Sequence, residues 1–298
     1  MKSQEWKGNT GGGLFGQQSL IVLFRFLNVR FGYFLLMLVV PFYMLFARKA
    51  CRAIYSLFKE RFCCSAWKSF CKTYANHYVF GQVILDRFSV FAGRKDLFEI
   101  EIVGNEHFSR LATGDKGFVV ASSHIGNFEI GGYFLYSDKK KMNALIYAGE
   151  SEIVQKNRSG LLNGNNINLI PVLNDMSHLF AVNSALQNGE IVSMPCDRNL
   201  GSAKNVECDF LGKKAKFPIG AFALATTFDV EVLSAFIIKK TAFKYTVYVM
   251  PVEIENRQEK MTKQEKIEQY VRVYVKNLEE IVRKYPEQWF NYYDFWAD

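Results

Sequence analysis

The chain has 298 residues, of which 49% are hydrophobic, 15% aromatic and 22% charged. This is enough apolar material for a sizeable core, which excludes a disordered chain. The net charge of +8 is unevenly spread, because residues 1–75 hold 11 basic and 2 acidic residues (+9) while residues 76–298 hold 26 and 27 (−1). A nucleic-acid binder usually spreads positive charge over its folded face, so the asymmetry argues against nucleic acid and favours an anionic membrane surface.

Three regions follow one another along the chain. Residues 1–19 are polar and predict a mobile leader, and residues 20–47 are almost entirely apolar and predict a hydrophobic membrane anchor. Residues 48–298 form one folded domain, which begins with a basic, aromatic, helical collar over 48–90. No internal repeat or low-complexity linker divides this domain.

The anchor can meet a bilayer in two ways. Its charge-free part, residues 31–47, lies at the lower edge of a membrane span, since ~20 apolar residues are needed to cross the hydrocarbon. Basic residues flank both ends, so the positive-inside rule selects no orientation, and both a span and a helix lying in the interface stay open. A buried core helix is the third alternative. Arg48 and Lys49 follow the apolar stretch where a signal peptide would have a cleavage site of small residues.

The remaining pattern alternates strands and helices, which predicts an α/β fold with a mostly parallel central sheet flanked by helices. Strands are expected at 98–103, 117–122, 143–148, 167–172, 190–195, 231–238 and 245–254, and helices at 127–135, 177–187 and 219–227. A final helix has an apolar face, with residues spaced by 4, 3, 4 and 3: Ile267, Val271, Tyr274, Leu278 and Ile281.

A histidine follows the continuous apolar strand predicted at 117–122. This strand ends on the polar pair Ser122 and Ser123, His124 comes next, and Glu129 lies five residues further on. Ligands of open α/β sheets bind at the carboxyl ends of the strands, where this histidine would stand. If His124 lies on the loop before the helix, Glu129 can hold one imidazole nitrogen and leave the other as a base. Taken alone, the spacing also fits a structural histidine.

Four motifs in one order give this pair its context. They are His124-x4-Glu129, then Ser-Met-Pro-Cys-Asp-Arg-Asn-Leu-Gly at 193–201, Phe-Leu-Gly-Lys-Lys-Ala-Lys-Phe-Pro-Ile-Gly at 210–220, and Tyr-Pro-Glu-Gln-Trp-Phe at 285–290. Over residues 15–296 the chain resembles the bacterial lipid A biosynthesis acyltransferases, the late acyltransferases of the lysophospholipid acyltransferase superfamily. Ser123 before His124, and the absence of an Glu-Gly-Thr-Arg block, favour this branch over the glycerophosphate and lysophosphatidate branch.

The resemblance implies a glycerolipid acyltransferase-like fold and a membrane-associated O-acyltransferase. Such enzymes move a fatty acyl chain, typically from acyl carrier protein, onto a hydroxyl of a lipid A precursor during lipopolysaccharide biosynthesis. The implied partners are acyl carrier protein, a lipid acceptor and the bilayer, at the cytoplasmic face of the inner membrane. No cofactor is implied beyond the thioester co-substrate, whose carrier is acyl carrier protein or coenzyme A.

The resemblance also assigns roles to residues. His124 would be the general base, Glu129 its partner, and Asp197 the aspartate of the second block. Backbone N–H groups near Gly126 and Asn127 are expected to bind the oxyanion. Transfer would be direct, and the absence of a G-x-S-x-G elbow counts against a lipase or thioesterase.

Substrate contacts are expected from several other residues. Arg158 is the candidate counterpart of the family's arginine and a phosphate contact, with Arg198 and Lys204 as competing cations. Asn127 is also expected to bind the substrate. Phe217 and Gly220 are expected to line an acyl groove at the mouth of the site, with core packing as the alternative.

The six cysteines, at positions 51, 63, 64, 71, 196 and 208, form no C-x-x-C pair, so neither a disulfide framework nor a metal site is expected. Two alternatives to the lipid A acceptor stay open. The first is the same chemistry on a lysophospholipid, an amino-acid lipid or an aryl polyene. The second is a non-catalytic lipid-binding membrane protein.

Overall fold

A seven-stranded sheet organises the protein in the computed structural model, which describes residues 28–147, 166–172, 177–199, 204–254 and 261–296. The strands are β1 (Glu99–Val103), β2 (Phe118–Ser122), β3 (Met142–Tyr147), β4 (Ile167–Val172), β5 (Ile191–Pro195), β6 (Asn205–Phe210), β7 (Lys213–Pro218), β8 (Val232–Lys239) and β9 (Lys244–Pro251). The helices are α1 (Val29–Phe46), α2 (Arg48–Ser56), α3 (Ala66–Phe91), α4 (Asn105–Thr113), α5 (Gly131–Phe134), α6 (Ser177–Gln187), α7 (Gly220–Phe228) and α8 (Lys263–Lys284).

The sheet is mostly parallel, as predicted. Its order is β1-β9-β8-β2-β5-β3-β4, and the five strands from β8 to β4 run parallel to one another. The strand β9 is antiparallel to β8 and parallel to β1. All seven predicted strands are present, and β2 and β5 are central neighbours whose carboxyl ends meet at the same edge.

Three features differ from the prediction. The strands β6 and β7 form a separate antiparallel hairpin, and α4 was not expected. The predicted helix over 127–135 is instead a 3-10 turn over Phe128–Ile130 followed by the short helix α5. The reason is local: Gly126 has a positive φ of 61°, and two glycines begin α5, where their helix propensity is poor.

The core lies on both faces of the sheet. All five residues of β2 are buried, and because side chains alternate along a strand, Val119 and Ala121 join one apolar cluster while Phe118 and Val120 join the other. The predicted apolar face of α8 is buried at all five of its positions. Both faces of the sheet are therefore covered by apolar clusters, so a functional site is expected at the ends of the strands and in the loops that follow them.

The helix α1 packs on α3 along one side only. Gly81 of α3 lets the two helices approach closely, since a Cβ there would lie 2.8 Å from Leu36 Cδ2. The opposite side of α1 is apolar and exposed at Phe31, Phe34, Leu35, Met37, Leu38, Val39, Phe42, Tyr43, Leu45 and Phe46. The helix is long and apolar enough to cross a membrane, and its exposed face argues against a buried core helix. The predicted leader and residues 20–27 of the anchor lie outside the described residues.

Candidate active site

His124 is held by a carboxylate from the neighbouring strand. The strands β2 and β5 pair up to Ser122 and Pro195, and the next residue continues the ladder, since the Cys196 N–H donates to the Ser122 carbonyl at 2.9 Å. The residues that follow the two strands, His124 after β2 and Asp197 after β5, are therefore brought next to each other. Asp197 Oδ1 lies 2.7 Å from His124 Nδ1, and Asp197 Oδ2 accepts the backbone N–H of His124 at 2.9 Å.

The electrostatics of this pair suit a general base. Asp197 is buried, and the His124 side chain is 16% exposed. Burial acts to raise the pKa of Asp197, but the charge and hydrogen bonds of His124 outweigh it and hold the pKa below its ordinary value. Asp197 therefore stays ionised at neutral pH. With Nδ1 bound to the carboxylate, Nε2 is the imidazole nitrogen left for proton transfer.

Glu129 does not occupy the position that the sequence assigned to it. The imidazole Nδ1 is held by Asp197, while the Glu129 carboxylate forms an ion pair with Arg87 of α3. The 3-10 turn explains the change, because Phe128 packs edge-on against the His124 ring, with centroids 4.9 Å apart, and Glu129 is turned toward α3. Glu129 is thus paired with Arg87 and not with His124, and no sequence signal indicated this ion pair.

The expected oxyanion donors are occupied. The Gly126 N–H donates to the Gln288 carbonyl and the Asn127 N–H to the Ile237 carbonyl, both at 2.8 Å. Asn127 is buried, and its side-chain amide donates to the Val83 carbonyl and to the Tyr245 hydroxyl. These two N–H groups are therefore occupied in this arrangement and are not the oxyanion donors that the sequence suggested, and the buried Asn127 amide is used to hold the loop.

A buried polar network joins the anchor helix to the same loop. Asp86 of α3 is fully buried and accepts hydrogen bonds from Tyr33 of α1, Lys239 of β8 and Tyr245 of β9. Tyr245 in turn accepts the Asn127 amide. Burial raises the pKa of Asp86, opposed by the charge of Lys239, and burial lowers the pKa of Lys239, opposed by Asp86. The helices α1 and α3 are therefore connected by hydrogen bonds, through Tyr245, to the loop that carries His124.

The other predicted substrate residues lie in different surroundings. Arg158 is outside the described residues, and Lys204 is exposed beside β6. Arg198 donates to the Phe290 carbonyl at 2.8 Å and lies over the Tyr293 ring. Gly220 begins α7, with no atom within 4 Å of where a Cβ would lie.

Phe217 is a core residue. Its side chain is fully buried against Phe210 and Phe295, with ring centroids 5.5 and 5.7 Å away. The prediction that it lines an acyl groove is wrong, because no part of the ring is accessible. The sequence pattern could not separate the two cases, since inward positions of a hairpin and groove positions both favour large apolar side chains.

The six cysteines form no disulfide among the residues that the structure describes. All six are free, and burial raises the pKa of Cys196 and of Cys208. Among the described residues, no cluster of three or more His, Cys, Asp or Glu side chains could hold a metal ion. The candidate site therefore consists of the His124–Asp197 pair, and Glu129, five residues after His124 in the chain, forms the nearby ion pair with Arg87.

A histidine held by a buried carboxylate at the strand ends of an α/β sheet is an arrangement that can support general-base chemistry. Comparison with known proteins gives the class. Residues 75–296 match the family model described as bacterial lipid A biosynthesis acyltransferase. The chain therefore belongs to this family, as its motifs predicted, and it is an acyltransferase.

Other comparisons are more distant. No curated protein matches the chain. Among solved structures, it is similar to the 1-acyl-sn-glycerophosphate (LPA) acyltransferase PlsC from Thermotoga maritima. That alignment has 14% sequence identity and a TM-score of 0.38, and it covers 88% of this chain and 97% of the other.

Proposed function

We propose that the protein transfers a fatty acyl chain from acyl carrier protein to a hydroxyl of a lipid A precursor, at the cytoplasmic face of the inner membrane. Coenzyme A is the alternative thioester donor. The observation that carries the proposal is the His124–Asp197 pair at the carboxyl ends of β2 and β5, in a chain of the lipid A acyltransferase family.

The chemistry follows from the geometry of that pair. His124 Nε2 removes the proton from the acceptor hydroxyl as its oxygen attacks the thioester carbonyl. The carbon–oxygen bond forms, the carbon–sulfur bond breaks, and the imidazolium returns its proton to the departing thiolate. Asp197 keeps Nδ1–H aligned and stabilises the imidazolium through its buried negative charge. No covalent enzyme intermediate is required.

The exposed face of α1 supports a membrane location. Ten large apolar side chains of this helix are exposed, and basic residues such as Arg48, Lys49 and Arg52 follow it directly. Apolar side chains enter the acyl region while Lys and Arg contact anionic headgroups. Because Tyr33 ties α1 to Asp86, the helix would hold the site close to lipid acceptors.

The experiment measures transfer of a radiolabelled acyl chain by detergent-solubilised full-length protein. Acyl carrier protein and coenzyme A thioesters are each offered with a lipid A precursor or with lysophosphatidate. We expect transfer to the precursor, loss of transfer in His124→Ala, and full activity in His107→Ala, whose histidine lies on α4. Transfer to lysophosphatidate alone would select the other acceptor, and absence of transfer to either lipid would contradict the proposal.

A further inference from the structure

We propose that the segment Gln288–Phe290 is a positioning element for the His124–Asp197 pair, with Trp289 as the positioning residue of the Asp197 carboxylate. This inference rests on the proposed function, because it assigns the segment to the same site. The segment belongs to the last of the four sequence motifs, for which the reaction itself provides no role.

The segment holds the backbone of the catalytic loop on both sides of Ile125. Phe290 donates its N–H to the His124 carbonyl at 3.0 Å, and the Gln288 carbonyl accepts the Gly126 N–H at 2.8 Å. Between them, Ile125 and Trp289 form an antiparallel bridge. The histidine therefore sits in a short ladder and not in a free loop.

Trp289 also contacts the carboxylate directly. Its indole Nε1–H donates to Asp197 Oδ2 at 3.4 Å, the oxygen that also accepts the backbone N–H of His124. The indole is fully buried, with Phe210 and Phe295 packed edge-on at 5.3 and 5.0 Å between centroids. With His124 Nδ1 on Oδ1, the carboxylate has three donors, which fix both its plane and its charge.

The segment is itself anchored from three directions. The Asn76 amide of α3 donates to the carbonyls of Glu287 and Trp289, at 3.0 and 3.1 Å. The Gln288 side chain accepts the Lys239 N–H and donates to the Lys239 carbonyl at the end of β8.

Arg198 supplies the third anchor, through its hydrogen bond to the Phe290 carbonyl. In this arrangement Arg198, which the sequence offered as a phosphate contact, holds the segment that holds His124. Together, these hydrogen bonds keep His124 in the narrow range of positions and orientations that proton transfer requires.

A double-mutant cycle tests the proposal. Trp289→Phe removes the indole N–H and retains an aromatic ring. Trp296→Phe is the matched control, because the Trp296 Nε1–H is buried and has no hydrogen-bond partner among the residues that the structure describes. We expect Trp289→Phe to lower kcat about tenfold, the effect of one lost hydrogen bond, at unchanged KM for donor and acceptor. Trp296→Phe should keep the wild-type kcat.

The cycle is closed in the Asp197→Asn background. If Trp289 acts through the carboxylate, Trp289→Phe causes no further loss of kcat there, whereas a merely structural role would give the same fold-loss in both backgrounds. A variant that fails to fold is replaced by 3-benzothienyl-alanine at position 289, which keeps the bicyclic shape without the N–H.

Three results would overturn the inference: additive losses, a raised KM at unchanged kcat, or wild-type activity without the N–H. The proposed function fails separately, since it requires that His124→Ala be inactive. A fully active Trp289→Phe beside an inactive His124→Ala and an impaired Asp197→Asn would refute only the positioning role.

Discussion

His124 Nδ1 and Asp197 Oδ1 lie 2.7 Å apart, although 73 positions separate the two residues in the chain. The contact exists because β2 and β5 are parallel neighbours that end together. It makes Asp197 the carboxylate that orients His124. Under the proposed function, the replacement of this one side chain should affect the chemical step and not substrate binding.

Asp197→Asn should lower kcat by roughly 10²- to 10⁴-fold, the range attributed to a well-placed general base. An amide at this position no longer supplies the negative charge that stabilises the imidazolium, and its NH₂ group can select the wrong imidazole tautomer. Acyl transfer at saturating substrate measures the change. A variant with wild-type kcat would show that another group orients His124.

Arg87 and Glu129 should behave as one unit. Each side chain is 18% exposed, so the removal of either breaks a mostly buried ion pair. We expect Glu129→Gln and Arg87→Gln each to lower kcat, and the double variant to lose little more than the worse single variant. Independent, multiplying losses would mean that the ion pair does not support the site, and a Glu129→Gln loss greater than that of Asp197→Asn would return the orienting role to Glu129.

Gly126→Ala should abolish the assembled site. A Cβ at this position would lie 1.9 Å from the Ile237 carbonyl oxygen, and the positive φ disfavours any L side chain. Since the backbone fixes the position of the Cβ and the clashing oxygen is itself a backbone atom, the loop must shift and His124 must move with it. Circular dichroism and thermal unfolding would report the structural cost, with Gly212→Ala as the control, because Gly212 also has a positive φ but open space around its Cβ.

The Asp86–Lys239 ion pair should be costly to break from one side. Lys239→Met leaves a fully buried carboxylate without its cation and should lower the free energy of unfolding by about 3–5 kcal/mol. In the Asp86→Asn background the same substitution should cost less, because the uncompensated charge is gone. Urea unfolding of the wild type, the two single variants and the double variant gives the coupling energy. If Lys239→Met lowers the free energy of unfolding equally in both backgrounds, the ion pair is contradicted.

Binding to lipid should depend on the exposed side of α1. Leu38 and Phe42 lie one turn apart and are 56% and 66% exposed, so serine at both positions removes apolar area that would enter a bilayer. We expect binding to anionic phospholipid vesicles to weaken about tenfold or more, since each side chain is worth ~1.5–3 kcal/mol on burial. Val103→Ser with Tyr136→Ser, two exposed apolar positions elsewhere, should bind like wild type.

The sequence predicted the strands of the sheet and the position of His124, but not the side chains that contact His124 and Glu129. Hydrophobic runs and alternation are local signals, so all seven strands of the sheet and the position of His124 at a strand end could be predicted. Which carboxylate reaches Nδ1 depends on sheet order, since β5 lies beside β2 only in the folded chain. Likewise Arg87 lies on a helix with no catalytic motif, and the N–H groups of Gly126 and Asn127 are occupied by distant carbonyls.

The contact between Asp197 and Trp289 also has a consequence for how the protein is made. Trp289 follows His124 by 165 positions (289 minus 124), which at 5–20 residues per second is roughly 8–33 s of translation. The helix α1 precedes both residues. A nascent chain therefore carries α1, His124 and Asp197 before Trp289 has been added, so the aspartate acquires its third hydrogen-bond donor only after the rest of the site has been synthesised.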